Sequence, residues 1–220
     1  DAGLTCPNRD GTLGTGGCIY CNARGSGTGL FHRGLDIAQQ IEAAKAVLSK
    51  RYKAKKFMAY FQAFTNTYGP LDHLRSLYEQ ALACEDIVGL SIGTRPDCVN
   101  EPILSLLQSL GENRLIWMEY GLQSAHDRTL VRINRGHDVA CFVRAVEATR
   151  NRNLRICAHV ILGLPGESRK DMLDTAKFIA GLELDGVKLH LLYVVKGTPM
   201  EALFASGEYT CLSQEDYVEI

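Results

Sequence analysis

The chain has 220 residues, 46% of them apolar and 22% charged, which is enough apolar material for one globular core. Its formal net charge of −1 gives no general electrostatic case for binding nucleic acid and leaves only a local basic patch open. No apolar run approaches the roughly 18 residues of a membrane span, and no secretory signal opens the chain.

In chain order, residues 4–34 are rich in Gly, Thr, Asn and Arg and have no sustained period, which predicts one long functional loop. From Leu35 to about Tyr52, Ile37, Ile41, Ala44 and Leu48 recur at helical spacing. Phe57–Phe61 is a short aromatic run and predicts a buried strand. The alternation then repeats. Helices are predicted over Leu71–Cys84, Pro102–Leu110, Val139–Arg150 and Lys170–Leu182, each followed by an apolar strand: Ile87–Ile92, Leu115–Leu122, Ile156–Leu162 and Val187–Val195. Strands that are nearly continuous in apolar residues and separated by helices predict an α/β fold with a parallel, helix-covered sheet. The chain opens at Asp1 without an initiator Met and ends on a helix just begun after Ser213, so both ends read as cuts. One further strand before Asp1 would bring the five to six.

Parallel α/β folds bind ligands at the carboxyl ends of their strands. The segments to watch are therefore 62–67, 93–97, 123–124, 163–167 and 196–198. Several polar residues there have two readings. Arg95 either marks a strand end or serves a ligand, with Asp97 or Asn100 capping the next helix. Asn134-Arg135-Gly136-His137 reads as a helix C-cap with Gly136 in the left-handed position. His159 and His190 either sit satisfied in the core or line a cavity. Glu119, inside a buried strand, must find a partner, for which Arg95 or a ligand is a candidate. Lys50, Arg51, Lys53, Lys55 and Lys56 read as a solvated helix end.

Eight cysteines are many, but the chain is too long and too well patterned to need disulfide staples. Cys84, Cys98, Cys141, Cys157 and Cys211 lie far apart and read as ordinary thiols of a reducing compartment, the cytosol. The other three form Cys6-x11-Cys18-x2-Cys21, in which a Cys-x2-Cys pair and a third thiolate reach one metal centre. Three thiolates leave one coordination position open, as an iron–sulfur cluster doing chemistry requires. With His32 as a fourth ligand the same loop would close around a structural zinc, and the spacing leaves both open. The flanking glycines match no phosphate-binding template and serve to wrap the backbone around a bulky centre.

Cys-Ile-Tyr-Cys at 18–21, ahead of a parallel βα series, resembles the radical S-adenosylmethionine (SAM) enzymes. So do Thr94-Arg95-Pro96-Asp97, Gly121-Leu122-Gln123-Ser124, Asn134-Arg135-Gly136-His137 and His159-Val160-Ile161-Leu162-Gly163-Leu164-Pro165-Gly166-Glu167. These are similar to the branch that holds the Elongator catalytic subunit and the oxygen-independent coproporphyrinogen oxidases. Cys6-Pro7-Asn8-Arg9-Asp10-Gly11-Thr12, with Lys188–Leu192 and Lys196-Gly197-Thr198-Pro199, looks closer still to a bacterial family of uncharacterised radical SAM Fe–S proteins. The resemblance covers essentially the whole chain as a single core domain, 1–220.

The resemblance implies a partial (β/α)6 TIM-like barrel and a [4Fe–4S] cluster on Cys6, Cys18 and Cys21, whose open iron chelates SAM. It implies that Tyr20 lies by the adenine and that the loop holding Gln62, Thr65 and Asn66 receives the SAM amino group, although this loop departs from the family's Gly-Gly-Glu form. Gln123, Ser124 and Arg95 fall at ribose or carboxylate contacts, and Ile161, Gly163 and Gly166 fall by the adenine. The implied activity is reductive cleavage of SAM to methionine and a 5′-deoxyadenosyl radical that takes hydrogen from a substrate, either a small molecule or tRNA. The partners are SAM and an electron donor such as flavodoxin or ferredoxin, in the cytoplasm and without a membrane. Two rival readings are an Elongator-like tRNA-uridine modification, which the near-neutral charge disfavours, and a non-catalytic zinc-bound module.

Overall fold

The computed structural model describes residues 1–25, 27 and 34–220, so His32, the candidate fourth zinc ligand, lies outside the described residues. The elements run α1 (Ile37–Tyr52), β1 (Phe57–Phe61), α2 (Leu71–Leu82), β2 (Ile87–Thr94), a 3-10 turn at Pro96–Cys98, α3 (Glu101–Gly111) and β3 (Leu115–Gln123). They continue α4 (Asp127–Arg132), α5 (Val139–Thr149), β4 (Arg155–Leu162), α6 (Arg169–Ala180), β5 (Gly186–Leu191), α7 (Pro199–Ala205) and α8 (Gln214–Glu219). All four strand pairs are parallel, and the strands lie side by side in chain order. Short helical crossovers that return each strand to the next place produce that order. The five strands form the expected half-barrel of an α/β fold.

β3 shows how the two sheet faces divide. Ile116, Met118, Tyr120 and Leu122 are wholly buried in the main core under the helices. A strand alternates its side chains, so Trp117, Glu119, Gly121 and Gln123 face the other way, into the half-barrel. A smaller cluster of Leu130, Ile133, Ile161, Leu164, Leu192, Met200 and Tyr209 packs α4 and the α7 segment against the ends of β4 and β5.

The caps account for several boundaries. Asn100, not Asp97, caps α3, its Oδ1 accepting from the Ile103 N–H at 3.1 Å. Ser213 caps α8 as read, accepting from Asp216 N at 3.0 Å. After α4, Asn134 N donates to Val131 O and Arg135 N to Leu130 O, the paired closure of a helix C-terminus. The left-handed residue of that closure is Asn134 (φ 53°); Gly136 (φ 77°) is also left-handed but lies beyond it, which corrects its reading as the cap. β5 stops at Leu191 rather than Val195. Its partner β4 ends at Leu162, where Gly163 turns at φ 81°, a conformation that costs glycine little, so the pairing is lost. The basic residues ending α1 are exposed, as a solvated helix end requires.

Candidate active site

The carboxyl ends of the strands and the cysteine loop enclose a cavity of about 290 Å³. Cys6, Cys18 and Cys21 all line it. The loop is clamped to the segment after α4 by two reciprocal amides: Asn8 Nδ2 donates to Asn134 O at 2.6 Å, and Asn134 Nδ2 donates to Gly17 O at 2.7 Å. Ile19 N adds a bond to Ile133 O. That clamp places Arg135, 7% exposed, behind Cys18, with Nη1 at 3.5 Å from its Sγ and Nη2 donating to Gly121 O at 2.8 Å. A Cβ at Gly121 would lie 2.5 Å from Arg135 Nη2 and 2.6 Å from Gln123 Nε2, so a larger residue there would displace both side chains.

Around Arg135 the cations are ordered. Arg95 holds Asp97 with two bonds, of 2.9 and 2.7 Å, and donates from Nη1 to Arg135 O. Arg9 donates to the carbonyls of Cys21 and Asn22. Burial pushes the Cys18 thiol up, but Arg135, with help from Arg95, outweighs it and holds Cys18 below the ordinary cysteine range. Burial wins at Cys21, whose thiol is pushed up against the opposing charge of Arg9.

The site also holds unpaired polar atoms. Tyr20 Oη, Thr65 Oγ1 and Arg135 Nε are buried without a hydrogen-bond partner among the described residues, and all three residues line the cavity. Each such group costs about 1–3 kcal/mol unless something meets it. Their donors and acceptors, facing three thiols, fit a polar ligand beside a metal–sulfur centre. Among the described residues no three Cys, His, Asp or Glu side chains converge on a single ion.

Of the ten residues expected around SAM, six line the cavity: Tyr20, Gln62, Thr65, Arg95, Gln123 and Ile161. The other four are not in its wall. Asn66 spends its Nδ2 on Phe61 O and Gly93 O, tying β1 to β2. Ser124 is wholly buried, bonded to Glu167 and accepting from His126 N. The Gly163 carbonyl accepts from Tyr209 Oη at 2.8 Å, and a Cβ on Gly166 would meet Arg132 at 2.7 Å. Asn66→Ala will remove both side-chain bonds, while Gly93 O keeps its bond from the backbone N–H of residue 66, and will lower stability by about 1–2 kcal/mol in urea unfolding, with or without SAM.

Glu119 finds its partners in the sheet rather than in Arg95. It accepts from Ser91, from His159 Nε2 at 2.6 Å and from Lys188 Nζ at 2.6 Å. His159 and His190 both line the cavity. Burial raises the Glu119 carboxyl, but these donors together outweigh it and hold it at about 2. Its folded value therefore lies below its unfolded one, so the network stabilises the fold above pH 4.5 and loses that contribution as pH falls toward about 2. Glu119→Gln will flatten the acid limb of a circular-dichroism titration in that window.

The residues that the motifs did not single out as ligands or site groups are Arg135, Asn8, Tyr60 and Lys188. No helix among the described residues is long and apolar enough to cross a membrane. The radical SAM superfamily profile matches residues 10–179, and a radical SAM C-terminal domain profile follows over 184–220. An uncharacterised protein of Bacillus subtilis, YtqA, is 46% identical over the whole chain, which spans 68% of that relative. Among solved structures, archaeal Elp3 of Methanocaldococcus infernus superposes with a TM-score of 0.72 at 21% identity, over 86% of this chain and 50% of that one. Coproporphyrinogen III oxidase (HemN) of Escherichia coli does so with a TM-score of 0.60 at 17% identity, over 93% and 47%. With its half-barrel and its three-cysteine loop, the chain belongs to the radical SAM superfamily and is an enzyme of that class.

Proposed function

We propose that this chain holds a [4Fe–4S] cluster on Cys6, Cys18 and Cys21 and binds SAM beside it, in one core unit spanning 1–220. The observation that carries the reading is the shared cavity, where three thiols, a buried arginine and unpaired polar atoms meet at the strand ends. When bound, the cluster supplies the electron that splits SAM into methionine and a 5′-deoxyadenosyl radical, which takes hydrogen from a substrate. The chain's own residues bind and orient. Thr65 Oγ1 and Tyr20 Oη offer unpaired groups to the amino-acid and adenosine parts of SAM, and Gln62, just after β1, and Gln123, at the end of β3, add side-chain amides. Ile161 gives the adenine an apolar wall, and Arg95 keeps Arg135 in place. Asn66, Ser124, Gly163 and Gly166 act one step away, by fixing the loops that carry these contacts. A flavodoxin or ferredoxin of the cytosol supplies the electron.

Anaerobic reconstitution with iron and sulfide tests the reading. The expected result is an iron–sulfur absorbance, an EPR signal on reduction that SAM perturbs, and 5′-deoxyadenosine formation. One zinc per folded chain, with no sulfide retained, would overturn it.

A further inference from the structure

The cavity wall carries a set of side chains that cluster and SAM binding do not use. Glu119 Oε2 accepts from His159 Nε2 at 2.6 Å, and His159 Nδ1 lies 3.3 Å from His190 Nε2. The direction of these bonds follows from the chemistry of the groups. Glu119 is ionised and can only accept, so His159 Nε2 carries the proton. The 3.3 Å contact places His190 Nε2 to donate into His159 Nδ1, the nitrogen that the bond to Glu119 leaves free. His190 Nδ1 is left as the chain's outermost lone pair, with no partner among the described residues, on a side chain that lines the same cavity as the three cysteines.

The surroundings suit a base. Facing the chain are Lys188 from β5, Ser91 from β2, Cys157 from β4 and Tyr60 from β1, whose ring lies 4.1 Å from the Lys188 ammonium. Burial pushes Cys157 up to about 11, so it is a neutral thiol. Burial, with Glu119 adding to it, also holds Tyr60 above the ordinary phenol range. Lys188 balances Glu119. Burial lowers His190, and the Lys188 ammonium adds to it, against the pull of Glu119, which favours its neutral form.

We propose that Glu119, His159 and His190 form a proton relay that acts as general base on a substrate bearing a hydroxyl or amine group beside the carbon that loses hydrogen. The proposal rests on the reading of this cavity as the site of radical chemistry. Loss of a hydrogen atom from such a carbon makes the adjacent O–H or N–H far more acidic, so a base is useful at that point. In the step itself the substrate O–H (or N–H) bond breaks, an N–H bond forms on His190 Nδ1, and the electron pair stays on oxygen or nitrogen. The Nε2 proton of His190 passes to His159 Nδ1, no electron is transferred, and the positive charge comes to rest on His159 against the Glu119 carboxylate. The substrate class is therefore alcohols, sugars, nucleosides or amines, not an unfunctionalised alkyl chain.

Histidine-labelled, reconstituted full chain provides the test, by ¹⁵N NMR and by modification with diethyl pyrocarbonate. At neutral pH both rings should be neutral with protons on Nε2. The pH dependence of His190 modification should move about tenfold toward weaker proton affinity in Glu119→Gln. His159→Gln should break the wire while leaving Glu119 in place, so that the His190 profile departs from wild type without the downward move seen in Glu119→Gln. Trifluoroethanol, an acidic alcohol, should shift His190 Nδ1 and, through the wire, His159, whereas cyclohexane should shift neither. A proton on His159 Nδ1 would overturn the relay from the wild-type spectrum alone, even if a variant fails to fold. So would a His190 response that is the same in wild type and both variants, or a trifluoroethanol response absent from His190. Iron content and 5′-deoxyadenosine, measured on the same samples, judge the cluster separately: coupled histidines without iron would leave the relay standing and remove the radical reading.

Discussion

Cys18→Ala will leave the reconstituted chain without iron–sulfur absorbance and lower 5′-deoxyadenosine formation at least 100-fold, about 3 kcal/mol of barrier. Cys18 is the thiol that the fold prepares most fully. It is 5% exposed, its Sγ is met by Arg135 Nη1, and the charges around it hold it below the usual range. With Cys18 gone, two thiols remain for a centre that needs three. Iron content should fall from about four per chain toward zero. Cys211→Ala is the control, since Cys211 lies outside the cavity wall and should keep both iron and activity. A Cys18→Ala protein with full iron would show that Cys6 and Cys21 hold the centre with some other ligand, and the three-cysteine assignment would fail. A loss of iron in both variants would point instead to unfolding, which circular dichroism separates.

The parts legible in the sequence were those with a local signature. β2, β3 and β4 read as continuous apolar runs because parallel strands are covered on both faces. The cysteine set read by its spacing. α4 did not, since six residues hold under two turns and show no period. Asn66 and Ser124 read as ligand contacts because a buried polar residue in a strand-end loop looks the same in sequence whether it faces SAM or is held by its own chain, Asn66 by backbone carbonyls and Ser124 by Glu167 and the His126 N–H. Arg135 read as a helix end, and it is one: the closure after α4 is the reason its side chain reaches Cys18. Glu119 declared its need for a partner, but Ser91, His159 and Lys188 come from three other strands, and only strand order and register bring them together.

Arg135→Met will lower the reduction potential of the bound cluster by roughly 100 mV. The estimate takes a unit charge about 6 Å from the cluster at an effective dielectric of about 20, close to 3 kcal/mol, converted for one electron. The sign follows from electrostatics: reduction adds negative charge to the cluster, and a buried cation favours the more negative state. Arg135→Lys keeps the charge but cannot reach Cys18 Sγ and Gly121 O together, so it should restore most of the potential and only part of the stability. Arg135→Met removes the side-chain donor to the Gly121 carbonyl and should cost about 2 kcal/mol in urea unfolding, and Arg135→Lys, which keeps one of the two contacts, should cost less. An EPR-monitored redox titration on the three proteins decides. If Arg135→Met keeps the wild-type potential and loses only stability, the arginine is a strut for β3 and the cysteine loop, and its charge does not tune the centre. If the methionine variant drops and the lysine variant recovers, the closure after α4 sets the potential at which SAM is reduced, which ties a helix C-cap directly to the chemistry.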